Sequence, residues 1–187
     1  MADAGRGLEG VASGEISMWV PTTSVLERLI ETGARTAAEV ATAIRFERVA
    51  APRILHETSD EVRFAFSAMG ALPGRTGETR LIGAHELVLV DPGDPSDDAL
   101  DLIESVVERR AGGINAIVLT QTDPDHAAAA EALAIPLEIP ILVAPGAGRH
   151  LPYPTRELAE GDPLPTDAAV HVRLGPAGSG RLEVMGD

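Results

Sequence analysis

Apolar and polar residues alternate along residues 54–67, with Val62, Phe64 and Phe66 on one side and Glu61, Arg63 and Ala65 on the other. A period of two over this length predicts a strand with one buried face. Residues 80–83 and 85–91 predict two further short strands around a tight connection, the second ending in the apolar run Leu87-Val88-Leu89-Val90. The period then changes. Ala99, Leu102, Ile103, Val106 and Val107 share one helical face. Asp94 is placed to cap that helix, Pro95 falls in its first turn, and Asp97 and Asp98 complement its positive end. Arg109 and Arg110 suit the last turn, and Gly112-Gly113 stops it. A strand over 114–120, a helix over 125–134 and a strand over 139–143 follow, and two more strands are expected at 169–174 and 181–185. Strand–helix–strand–helix–strand with continuous apolar strands predicts an α/β layered domain.

The first fifty residues read differently. Val25, Leu26, Leu29 and Ile30 share a helical face that Gly33 terminates, and Thr36-Ala37-Ala38-Glu39 has the spacing of a capping box before Val40, Ala43 and Ile44. Pro52 closes this region. The organisation expected is a helical segment at 1–50 followed by a layered domain at 51–187.

Composition narrows the chemistry. The chain has 187 residues and a net charge of −14, all 15 of its basic side chains are Arg, and it has no Cys. Nucleic acid and anionic membrane surfaces are therefore not expected partners, since both would be repelled. A thiol nucleophile, a disulfide scaffold and a Cys-ligated zinc site are excluded. At 44% hydrophobic the chain can bury a core. No basic start precedes an apolar run at the N-terminus, so the expected location is cytoplasmic.

The polar cluster that stands out is Leu119-Thr120-Gln121-Thr122-Asp123-Pro124-Asp125-His126. It lies at the end of a buried strand and the start of a helix, where α/β folds place ligands. Two carboxylates and an imidazole within four residues can converge on a divalent cation. Asp123 or Asp125 can equally cap the helix, with Pro124 in its first turn. Spacing alone leaves both readings open.

The stretch 80–144 resembles the first half of a metallo-beta-lactamase-fold domain. Glu86-Leu87-Val88-Leu89-Val90-Asp91-Pro92-Gly93 is similar to that superfamily's early strand and its Asp-x-Gly turn. Residues 119–126 line up with its His-x-His-x-Asp-His signature, and Thr76-Gly77-Glu78-Thr79-Arg80-Leu81-Ile82-Gly83 resembles the opening of the glyoxalase- and endoribonuclease-like branch. The resemblance implies part of an αββα sandwich. It also implies a metal-dependent hydrolase acting on an ester, thioester or phosphoester, with metal ligands at Gln121, Asp123, Asp125 and His126 and with Asp125 as the catalytic base. The signature is degenerate here, because Gln121 and Asp123 stand where the first two His belong. An oxygen-rich set of this kind is expected to hold Zn²⁺, Mn²⁺ or Mg²⁺ only weakly. The family's later His turn has a counterpart without His in Leu174-Gly175-Pro176-Ala177-Gly178, and Gly186-Asp187 can stand for its bridging Asp. Residues 16–26 resemble the tail of a Nudix domain without its catalytic box. The expectation is thus a truncated fusion between a Nudix domain and a metallo-beta-lactamase-like one. The alternative is a non-catalytic interaction or structural module of a Nudix-type protein. A small-molecule substrate and a homo-oligomer formed through an uncovered sheet edge are the partners expected. Among the other histidines, His56, His85 and His150 are expected on strand edges or in loops, and His171 is the remaining candidate for a third ligand.

Overall fold

The structure, a computed structural model, describes residues 51–67 and 76–186. The helical segment and Nudix-like tail expected in the first fifty residues lie outside the described residues, as does Asp187. Among the described residues seven strands form one sheet in chain order. They are β1 (Arg53–Glu57), β2 (Glu61–Ser67), β3 (Thr76–Ile82), β4 (Glu86–Val90), β5 (Gly113–Leu119), β6 (Ile141–Val143) and β7 (Arg156–Glu157). β1 to β4 pair antiparallel, and β4 to β7 pair parallel. A separate antiparallel hairpin joins β8 (Val170–Leu174) to β9 (Leu182–Gly186). The α/β layered arrangement read from the pattern is the one found.

The single strand expected over 54–67 is two strands, β1 and β2. Thr58 reverses the chain between them, its hydroxyl accepting from the backbone N–H of Asp60 at 3.3 Å and of Glu61 at 3.0 Å. Such Ser/Thr turns compete with strand pairing. The buried face is as read, with Val62, Phe64 and Phe66 almost fully buried and the two Phe rings stacked at 5.6 Å.

β6 is buried throughout, β4 from Leu87 on and β5 from Ala116 on, which requires both faces of the sheet to be covered there. The crossovers carry α1 (Asp97–Arg109), α2 (Pro124–Ala127) and α3 (Ala130–Leu137). Successive right-handed crossovers in one direction put their helices on one face. The β8–β9 hairpin sends Val172, Leu182 and Val184 into the same core.

Two helix boundaries differ from expectation. Ser96, not Asp94, is the N-cap residue of α1, and Pro95 precedes the helix. The Asp94 carboxylate is buried and accepts from the Ser96 N–H at 2.9 Å, shaping the approach to the helix rather than capping it. The helix expected over 125–134 is broken into α2 and α3. The Ala129 N–H, which would continue the helical ladder, donates instead to Pro92 O at 2.9 Å. A tertiary contact has displaced a local one.

Candidate functional site

The parallel strands β4 and β5 end side by side, and their exits make the site. Asp91 follows β4 directly in a left-handed conformation, φ 53°, which Asp tolerates better than most side chains. It is 7% exposed. One carboxylate oxygen accepts from the Thr120 N–H at 2.7 Å, the other from the Thr120 hydroxyl at 2.5 Å. The Asp91 carbonyl accepts from the Thr79 hydroxyl at 2.6 Å. Gly93 completes the turn at a point where no side chain fits, since a Cβ there would stand 1.8 Å from the Asp125 carbonyl oxygen. The Asp-Pro-Gly turn is therefore packed backbone to backbone against the segment carrying the acidic cluster.

The four residues read as metal ligands all lie in the segment that follows β5 at this corner. Asp123 is exposed and occupies the N-cap position of α2 without a side-chain capping bond, with Pro124 as the first helical residue. Asp125 is half-buried; burial pushes its pKa up, Asp123 adds to this and His126 opposes it. His126 Nδ1 lies 3.0 Å from the Asp91 carboxylate, close enough for an ion pair although the N–H is not aligned for a good hydrogen bond. The Asp91 carboxylate beside the ring is the main reason the imidazole pKa is raised, with burial working against it. The other ring nitrogen, Nε2, is 3.4 Å from the Gln121 side-chain amide. A neutral ring with its proton on Nδ1 thus accepts from Gln121 through the lone pair a metal would use.

Beside this corner opens a polar cleft of about 460 Å³. Gln121, Thr122 and Asp123 form one wall, and the 3₁₀ turn Ala147–His150 forms another. The third comes from the tight Gly-Pro turn between β8 and β9, through Gly178, Ser179, Gly180 and Arg181. The turn paired by resemblance with a His-bearing one thus reaches the same cleft, with no imidazole on it. His150, expected in a loop, is exposed and lines the cleft. His171 faces Met185 across the hairpin and is not among the lining residues. His56 is exposed on β1, and His85 is exposed with Nδ1 at 2.9 Å from the Arg110 carbonyl. Sequence reasoning passed over Thr120 and Arg181. Thr120 could have been found from its place at the end of β5, opposite the residue that ends β4; nothing in the pattern marked Arg181.

A profile of the metallo-beta-lactamase superfamily matches residues 80–184, more than half of the chain. The chain belongs to the metallo-beta-lactamase superfamily. Solved structures carry the same fold. The metallo-beta-lactamase DIM-1 superposes with a TM-score of 0.59 at 14% identity, over 74% of this chain and 66% of that one. VMB-1 gives 0.58 at 14% identity, over 71% and 64%. The metallo-beta-lactamase from Pontibacter korlensis gives 0.56 at 12% identity, over 71% and 66%. The chain thus spans just under two thirds of the length of these structures. No curated protein sequence matches it. Superfamily members typically bind divalent metals such as zinc. Among the described residues of this member, no three His, Asp or Glu side chains gather as a group able to hold a metal ion. With His126 set between Asp91 and Gln121, the donors described here do not fit the superfamily's metal centre.

Proposed function

We propose that this domain keeps the superfamily's fold and its ligand cleft without running two-metal hydrolysis, and that it serves as a binding module. The observation that carries the reading is the contact between Gln121 and His126 Nε2, at 3.4 Å. It puts an amide of the chain where an imidazole ligand would meet its metal. Losing outer-sphere support alone typically costs about 10–100-fold in metal affinity, and replacing first-sphere imidazoles costs more.

A second reading keeps a weakly bound cation. Asp123 and Asp125 are close enough for Asp123 to raise the Asp125 pKa, a repulsion that a hard cation such as Mg²⁺ or Mn²⁺ would relieve. In that reading Asp125 is the base of an impaired hydrolase.

Calorimetric titration of chelator-treated protein with Zn²⁺ and Mn²⁺ separates the two. The binding-module reading expects no heat from either metal. One weak Mn²⁺ site abolished by Asp123→Ala would favour the impaired hydrolase. Two tight zinc sites per chain, both lost in His126→Ala, would overturn the first reading.

A further inference from the structure

We infer that the cleft binds a small hydroxylated organic anion, a carboxylate or a phosphate monoester, with Arg181 as the residue that holds its charge. This deepens the binding-module reading and rests on it for the absence of a metal between ligand and protein. Arg181 lines the cleft and meets no carboxylate among the described residues, in a chain whose net charge is −14. Arg80 pairs with Glu61, Arg109 with Glu57 and Arg173 with Glu183; what sets Arg181 apart is that it is the one arginine among the residues lining the cleft.

The backbone holding Arg181 is fixed on both sides. Its carbonyl accepts from the Gly175 N–H at 2.9 Å, and its N–H donates to the Ser179 hydroxyl at 3.3 Å. The next residue, Leu182, donates to Thr120 O at 3.1 Å, which ties the turn to the end of β5 beside Gln121. The turn fixes where the exposed Arg181 side chain starts, and its guanidinium offers a fork for a planar carboxylate or a phosphate.

The rest of the lining completes the recognition. Gly178 and Gly180 take φ of 79° and 64°, and their backbone N–H groups have no partner among the described residues. A Cβ at Gly178 would meet nothing within 4 Å, so this stretch of turn opens onto space. His150 adds a ring donor across the cleft. Asp123 is the one acid among the lining residues, and its carboxylate repels an anionic head but accepts from hydroxyls on the ligand body. A volume near 460 Å³ suits a molecule of that size.

The test titrates chelator-treated full-length protein with glycerol 3-phosphate, glycerate and inorganic phosphate, by calorimetry and by NMR of the His150 ring. Millimolar or tighter binding of one of the two organic anions is expected, and whichever binds more tightly identifies the head group. Arg181→Gln should weaken it by about tenfold or more, while the control Arg173→Gln leaves it unchanged. Asp123→Asn should weaken the organic anion and strengthen inorganic phosphate. Absence of binding by every probe at about 10 mM would overturn the inference, as would equal binding by Arg181→Gln. Tight zinc binding together with Arg181-dependent anion binding would sink the metal-free reading and leave the anion site standing. Anion binding that requires added zinc and survives Arg181→Gln would overturn both.

Discussion

Removing the Asp91 carboxylate should damage the domain far more than an ordinary change at a strand end. In Asp91→Ala, Thr120 loses the acceptor of its N–H, at 2.7 Å, and of its hydroxyl, at 2.5 Å. Hydrogen bonds to a charged group contribute roughly 1.5 kcal/mol or more each, so about 3 kcal/mol is lost there. Ala must also adopt φ 53°, which adds about 1 kcal/mol. The ion pair with the partly exposed His126 is left out of this sum, because solvent screens it. Asp91→Asn keeps one acceptor oxygen and a side chain that tolerates the left-handed region, so its cost should stay under about 2 kcal/mol. Asp91→Gly relieves the backbone and loses the contacts, which places it between the two. Against a total of about 5–15 kcal/mol, Asp91→Ala removes a large share of the stability. Urea unfolding at neutral pH, followed by circular dichroism, should show its midpoint falling by more than about 1 M. A loss under about 1 kcal/mol in Asp91→Ala, or an Asn variant as unstable as the Ala variant, would refute the reasoning.

His126 has a raised pKa in the folded state, so its contribution is fully present below the unfolded value near 6.5 and is lost as pH rises through the folded value. Unfolding free energy measured across that window should fall with pH, and His126→Gln should flatten the slope. Glu61 acts in the opposite sense: burial raises its pKa, but Arg80 and Arg63 together outweigh that and lower it. Its stabilisation is present above about pH 4.5 and disappears as pH falls through the folded value, so Glu61→Gln should reduce the acid-side loss seen by calorimetry. Gly93→Ala drives a Cβ to 1.8 Å from a backbone carbonyl oxygen that cannot simply swing away. It should cost at least about 2 kcal/mol in urea unfolding and shift the His126 ring resonances. Ile103, 2% exposed in α1, should cost about 2–5 kcal/mol when cut to Ala, whereas the half-buried Leu102 should cost clearly less.

What the sequence disclosed depends on whether its cause is local. The buried face of β2 and the buried stripe of α1 follow from periodicity, because each side chain's neighbours there are set by its own element. The reversal at Thr58 is signalled by Thr58-Ser59-Asp60, three turn-forming residues, and strict alternation runs only over 61–67. Asp94 and Ser96 are both good capping residues, and the choice between them depends on where the buried Asp94 carboxylate ends up, which is a tertiary matter. The break between α2 and α3 could not be read at all, since residues 125–134 are good helix formers and the disrupting acceptor, Pro92 O, is more than thirty residues away. In the site, the residues that gather were legible from order and type, but not what each one touches.

On the proposed binding-module reading, Gln121 and Asp123 stand where a metal centre would have imidazoles, and the fold must be supported without them. Where a metal organises a loop, removing its ligands removes the loop's support. Here the segment from Thr120 to Ala129 is held by other means. Asp91 binds Thr120 twice, Pro92 O takes the Ala129 N–H, and Gly93 packs on the Asp125 carbonyl. All three contacts come from the Asp-Pro-Gly turn, and none needs Gln121 or Asp123. Those two positions are therefore free to change as far as the backbone is concerned, whereas Asp91 and Gly93 are not. His126 stands between the groups, touching the fixed carboxylate through Nδ1 and Gln121 through Nε2. On this account Gln121→His alone should leave urea stability within about 0.5 kcal/mol of wild type and create no zinc site, because a second imidazole is still missing at Asp123. The paired change Gln121→His with Asp123→His is the smallest that should give measurable zinc binding. If the single change sufficed, the metal site would be far less dismantled than the Gln121–His126 contact implies.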